Sequence, residues 1–180
     1  IPIFNNPSSI TLGTDRRKQL VELSRRHNFL IIADEVYHLL NFGKEPPPPP
    51  MTSFIDSGTV LSLGSFSKIL APGLRLGWIH TGPRLLKLIN DCGLLDSGGG
   101  LNPFTSAVVR SAIEMGLQQT QLTTLITAYS ERKAALSRAL TEYLPDAVHF
   151  FEPGGGFFIW LVFPENVDTK QMLMEAYQKN

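Results

Sequence analysis

Phe29-Leu30-Ile31-Ile32-Ala33-Asp34-Glu35-Val36-Tyr37 is the stretch that decides the fold. Five apolar residues in succession, without polar alternation, suit a strand covered on both faces, as in a parallel sheet between helices. The run then stops on two carboxylates. Upstream, Asp15 to His27 has helical spacing, with Thr14 placed as its N-cap and Leu20, Leu23 and His27 along one stripe. Downstream, Val60-Leu61-Ser62-Leu63 and Leu76-Gly77-Trp78-Ile79-His80 repeat the short-strand signal.

The rest of the chain continues the alternation. Pro83 suits the first position of a helix running to about Leu95, and Ser97 to Gly100 breaks the chain before a helix from Pro103 to Met115, closed by Gly116. Leu122, Leu125, Ile126, Tyr129, Lys133, Leu136, Leu140 and Leu144 then form one stripe of about six turns, which Pro145 stops. Val148 to Phe151 and Phe157 to Phe163 read as two strands around Gly154-Gly155-Gly156, and Thr169 to Lys179 as a last helix. Pro46 to Pro50 is a stiff surface loop. This order predicts an α/β domain with a mostly parallel sheet between helices, followed by the start of a smaller α+β layer.

Composition narrows the function. Sixteen basic and sixteen acidic residues cancel, leaving no global field for nucleic acid or an anionic membrane. The longest apolar run, Phe157 to Phe163, is too short to span a bilayer. The single cysteine, Cys92, excludes an intrachain disulfide; within an apolar-periodic stretch it is expected to be a buried structural thiol. His27, His38, His80 and His149 lack metal-ligand spacing, so no metal is expected. Gly98-Gly99-Gly100 is followed by Leu101-Asn102 rather than Lys-Ser/Thr, which excludes a P-loop. Ile1-Pro2-Ile3-Phe4 has neither an initiator Met nor a signal pattern, so the chain reads as part of a longer protein.

In α/β sheets ligands sit beyond the carboxyl ends of strands. Three such ends carry polar residues: Asp34 to Tyr37, Leu63-Gly64-Ser65-Phe66-Ser67-Lys68, and the segment from Gly73 through Arg75. Singly these are ordinary, since Asp34 can cap a turn, Lys68 can be a solvated lysine, Arg75 can pair with a structural carboxylate, and serines favour turns. Together, Asp34-Glu35-Val36-Tyr37 and Ser65-Phe66-Ser67-Lys68-Ile69-Leu70-Ala71-Pro72-Gly73-Leu74-Arg75-Leu76-Gly77-Trp78 closely resemble class I/II aminotransferases of PLP (pyridoxal phosphate) fold type I. The likeness is strongest to the α-aminoadipate, aromatic and branched-chain branch, and it is shared by the aminotransferase-like domains of GntR/MocR-type regulators. Asn6-Pro7 and the helix with Arg16-Arg17 resemble the family's Asn-Pro-Thr-Gly segment and its helix, with Ser8-Ser9 here in place of Thr-Gly. The resemblance runs from Asn5 to about Met174.

The resemblance implies a role for each matching residue. Lys68 forms the imine with PLP and then moves the proton at the substrate Cα. Asp34 keeps the pyridine nitrogen protonated, Tyr37 and Asn6 hold the 3′-oxygen, and Ser65, Ser67 and Arg75 bind the phosphate. It implies that residues 1–127 are part of the PLP-binding large domain of fold type I and that residues 128–180 begin the smaller C-terminal domain. The expected activity is transfer of an amino group between an α-amino acid and a 2-oxo acid; the alternative is a PLP-binding effector domain of a transcription regulator.

The small-molecule partners are the amino acid and the oxo acid. The full-length protein is expected to be a homodimer in the cytoplasm by default, though a truncated start could have carried an organelle signal, and to make no membrane contact. The family's arginine for the substrate α-carboxylate has no match, since no arginine follows Arg138. The segment from Ser97 to Pro103 reads equally as a wall near the substrate or dimer interface and as a linker. The 180 residues alone are expected to bind PLP weakly or not at all, because part of a sheet leaves an unpaired edge.

Overall fold

The computed structural model describes residues 1–93 and 101–179. Helix α1 spans Thr14–His27, one residue earlier than expected, so Gly13 rather than Thr14 takes the N-cap position. Its C-terminus closes on Asn28 in the left-handed region, whose N–H reaches the Ser24 carbonyl. The buried face is Arg17, Val21 and Ser24, whereas Leu23 and His27 are exposed. The expected Leu20–Leu23–His27 stripe is thus rotated. Backbone carbonyls and a hydroxyl wait for Arg17 and Ser24 on the inner side, and an apolar periodicity cannot register polar residues that are satisfied inside.

Three strands follow: β1 (Ile31–Asp34), β2 (Val60–Ser65) and β3 (Gly77–Thr81), in the order β1-β2-β3. β1 and β2 are parallel, with Asp34 opposite Leu63; β2 and β3 are antiparallel, with Ser65 opposite Gly77. The sheet is therefore mixed among the described residues. Val21 of α1, Met51 of the 3₁₀ turn Met51–Ser57, and the strand residues Ile31, Ala33 and Val60 make one core. That core covers only one face of β1, and Ile32 on the other face is 66% exposed. The apolar run is thus not buried on both sides within the described residues. A second core joins Ile3, Phe4, Tyr37, Leu40, Ile69 and Leu122, linking the chain start to the loops after β1 and β2.

Gly64 lets β3 cross close to β2. A Cβ there would lie 2.1 Å from the Trp78 indole.

α2 (Pro83–Asn90) begins on its proline as expected but stops short of the predicted end near Leu95, giving way to a turn at Asp91 and Cys92; Leu94, Leu95 and the Ser97–Gly100 break lie outside the described residues. Cys92 is exposed, which corrects the buried-thiol reading. It stands beyond the last helical residue, where helical periodicity no longer sets the facing. α3 (Pro103–Glu114) is capped by the Asn102 side chain, which accepts from the Thr105 N–H, and Gly116 at φ 73° turns the chain into α4 (Leu117–Tyr143). α4 runs unbroken through residues 127 and 128. It buries Leu122 and Ser137, while Leu136, expected inside, is half exposed.

β4 (His149–Phe150) and β5 (Leu161–Val162) form a short antiparallel pair, and α5 (Thr169–Lys179) follows. The strands are shorter than predicted: Phe157 and Phe158 meet Tyr37 edge-on instead of extending the ladder, although Phe157 stays 39% exposed. Lys133 ties α4 to the connecting loop, bonding Glu152 at 2.7 Å and the Pro153 carbonyl at 3.4 Å. Pro46 to Pro50 has no regular structure, in keeping with a surface loop. Among the described residues no helix is long and apolar enough to cross a membrane.

Candidate cofactor site

Two parallel strands ending at one edge create the site. Asp34 closes β1 and Ser65 closes β2, and the register of Asp34 on Leu63 brings both ends to the same rim. A cleft of about 580 Å³ opens there, lined by Asp34, Gly64, Ser65, Ser67, Arg75 and Trp78, among others. Asp34 Oδ1 accepts the Val36 N–H at 3.4 Å, so the turn-capping role and the cleft position coexist.

The far side of the cleft is a cluster of donors. Ser65 Oγ accepts from the Ser67 N–H at 3.1 Å, and Arg75 Nη1 donates to Ser67 Oγ at 3.4 Å and to the Pro72 carbonyl at 3.2 Å. The single turn Pro72–Leu74 reverses the chain, and the Phe66 N–H on the Leu76 carbonyl closes the loop at 3.0 Å. Arg75 holds φ 50°, a left-handed conformation costing a residue with a Cβ roughly 1 kcal/mol. A guanidinium and two hydroxyls on one short loop suit a dianionic phosphate.

Lys68 follows Ser67 directly and lies over the Phe157 ring, with Nζ 5.6 Å from its centroid. Tyr37 meets Phe157 at 5.5 Å and Phe158 at 6.0 Å, both edge-on, and Tyr129 meets Phe157 at 5.0 Å. The Tyr37 hydroxyl is pushed above the usual phenol range, first by burial and then by the negative field of Asp34, while a hydrogen bond with the Asn6 side chain acts the other way. Asp34, Ser65, Ser67 and Arg75 therefore line one cleft. Tyr37 and Lys68 do not line it; they meet at the Phe157 ring, which belongs to a separate cavity with Phe42, Tyr129 and Phe158.

Two groups escaped sequence reasoning. The first is the aromatic wall. Gly155 and Gly156 press against Phe4, where a Cβ would lie 2.5 Å and 2.7 Å from its side chain, and Gly156 holds φ 78°. Three glycines ahead of two aromatics were the available signal, since such runs mark close backbone approach.

The second is Glu35. Successive strand residues face opposite ways, so Glu35 turns inward where Asp34 turns to the cleft. Its carboxylate accepts the Met51 N–H at 2.9 and 3.0 Å and the Ser62 hydroxyl at 2.7 Å, and stands 3.6 Å from Arg17 Nη1. Arg17 is fully buried and donates to the carbonyls of Leu12, Pro49 and Pro2 at 2.7, 2.9 and 2.8 Å. Nearby, the His38 imidazole is held below its ordinary range, chiefly by burial; Glu35 opposes the shift and Arg17 adds to it.

An α/β sheet edge bearing an amine, a carboxylate and a serine–arginine cradle is suited to a phosphorylated ligand with a basic ring. The chain belongs to the aminotransferase class I and II family, whose model matches residues 3–179. This confirms the likeness drawn from the Asp34–Tyr37 and Ser65–Trp78 motifs, and members of this family depend on PLP. The chain is 36% identical over 179 residues to an aromatic-amino-acid aminotransferase of Thermococcus litoralis, covering 99% of this chain and 42% of that protein. It is 31% identical over 181 residues to YisV, an uncharacterized HTH-type transcriptional regulator of Bacillus subtilis, covering 99% and 37%. The crystal structure of a kynurenine aminotransferase from Pyrococcus horikoshii, in complex with PMP, has a TM-score of 0.90 at 32% identity, covering 99% of this chain and 44% of that one. The α/β fold is that of such enzymes, and the chain spans less than half the length of these relatives.

Proposed function

We propose that this chain is the cofactor-holding part of a PLP-dependent aminotransferase, which moves an amino group between an α-amino acid and a 2-oxo acid. The observation that carries the reading is the cleft that Asp34, Ser65, Ser67 and Arg75 line together, with Lys68 following Ser67 directly in the chain. The donor set fits the group: hydroxyls and a guanidinium for a phosphate, and a carboxylate for a pyridinium nitrogen. PLP, when bound, supplies an electron sink for the carbanion at the substrate Cα. Lys68 Nζ binds the cofactor covalently, takes the Cα proton as general base and returns it as general acid. Asp34 holds a proton at the ring nitrogen, and Tyr37 with Asn6 holds the 3′-oxygen. Residues 1–127 belong to the large domain in this reading and residues 128–180 begin the smaller one.

The whole protein is proposed to act as a cytoplasmic homodimer. A second reading, a PLP-binding effector domain of a GntR/MocR-type regulator, is favoured by the likeness to the HTH-type regulator of Bacillus subtilis. Both readings use the same cofactor residues.

Full-length wild type and Lys68→Ala, titrated with PLP and followed by visible absorption, test the cofactor role. Wild type is expected to gain the band of lysine-linked PLP and the variant to lack it; a variant that keeps the band overturns the role of Lys68. Turnover of amino acids with 2-oxoglutarate by the same protein supports the enzyme. Uptake of PLP without turnover, by a chain carrying a winged helix-turn-helix ahead of Ile1, supports the regulator.

A further inference from the structure

Ser9 is buried and holds φ 57°, a left-handed conformation that disfavours any residue with a Cβ. Nothing in the local turn asks for a serine there. The turn closes through the Ser9 N–H on the Asn5 carbonyl at 2.6 Å and the Ser8 hydroxyl on the Asn5 side-chain carbonyl at 3.0 Å. A glycine would satisfy the same backbone without strain. What the serine adds is its hydroxyl, which donates to the backbone carbonyl of Phe158, 149 positions away in the chain. That bond joins two walls of the site. One is the turn holding Asn6, whose side chain acts to lower the Tyr37 pKa; the other is the segment whose Phe157 and Phe158 rings flank Tyr37 and whose Phe157 lies beneath the Lys68 amine.

We propose that Ser9 is a positioning residue, a latch whose hydroxyl holds the Phe157–Phe158 segment against Tyr37 and the Lys68 amine. Its importance for cofactor binding rests on the reading above; the latch itself rests on geometry alone. Left-handed strain is tolerated at this position because glycine cannot form the bond.

Hydrogen exchange on the full-length protein, comparing wild type with Ser9→Gly and Ser9→Ala in the absence of cofactor, tests the latch. Loss of one neutral hydrogen bond is expected to speed amide exchange at residues 156–160 about fivefold in both variants. Ser9→Gly should keep a melting temperature near that of wild type, because relief of strain offsets the lost bond, while Ser9→Ala should melt lower. A Ser9→Gly protein more stable than wild type, with unchanged exchange at residues 156–160, overturns the proposal and leaves Ser9 as strain only. A PLP titration of wild type runs beside it. A wild type that takes up no PLP counts against the proposed function, and the exchange result still decides the latch.

Discussion

Asp34 and Glu35 show how neighbouring carboxylates acquire different tasks. Strand alternation sends one to the cleft and the other into a cage of Arg17, Ser62 and the Met51 N–H. Removing one partner of a buried charge pair leaves the other uncompensated, so Arg17→Met is expected to cost about 3 kcal/mol or more in a urea titration. Glu35→Gln keeps acceptor and donor atoms and is expected to cost less; equal midpoints for both variants and wild type would show the cage to be idle.

His38 belongs to the same neighbourhood and supplies a pH dependence. Its folded pKa lies below the unfolded value of about 6.5, so between the two the unfolded chain binds more protons. Stability is therefore full above about pH 6.5 and falls as the pH drops toward the lowered folded value. His38→Gln should flatten that acid limb; an unchanged limb in the variant would sink the assignment.

At this scale the site was legible where spacing is short. Ser65, Ser67, Lys68 and Arg75 occupy one loop and announce one another. Phe157 was not legible, because its partners Tyr37 and Lys68 are remote in sequence and only the fold brings them together.

Among the elements, kind and order were readable, and facing was not. Helices α1, α2, α3 and α5 begin within a residue of their expected starts, because prolines, glycines and the loss of periodicity are local signals. Which side of an element is buried depends on what lies opposite. α1 turns Arg17 inward because carbonyls of Pro2, Leu12 and Pro49 receive it, and β1 alternates because one of its faces lacks a cover among the described residues.

The β2–β3 crossing yields a prediction of its own. Gly64→Ala places a methyl group where the Trp78 ring stands, 4.8 Å from Phe66. The ring must leave that contact, at a cost of about 1–3 kcal/mol. A shift in Trp78 fluorescence, read in a Trp160→Phe background, and a lower denaturation midpoint should appear together. Unaltered emission would mean that the crossing has slack.

For the whole molecule, charge and surface act in the same direction. Sixteen positive and sixteen negative residues leave no net repulsion between copies. A cavity of about 770 Å³ beside β1 is lined largely by apolar residues, Ile10, Leu12, Ile31 and Ile32 among them, and Ile32 is the most open of the strand residues there. A molecule of zero net charge, with an apolar sheet face uncovered among the described residues, has no net charge repulsion to oppose self-association. The 180-residue chain on its own is thus expected to elute from a sizing column at volumes that fall as concentration rises, and to bind a hydrophobic dye. Ile32→Lys sets a charge on that face without touching the buried residues Ile31 and Ala33, so it should shift elution toward the monomer and weaken dye binding. If the unsubstituted chain stays monomeric at high concentration, or Ile32→Lys changes neither readout, the face beside β1 is not where copies meet.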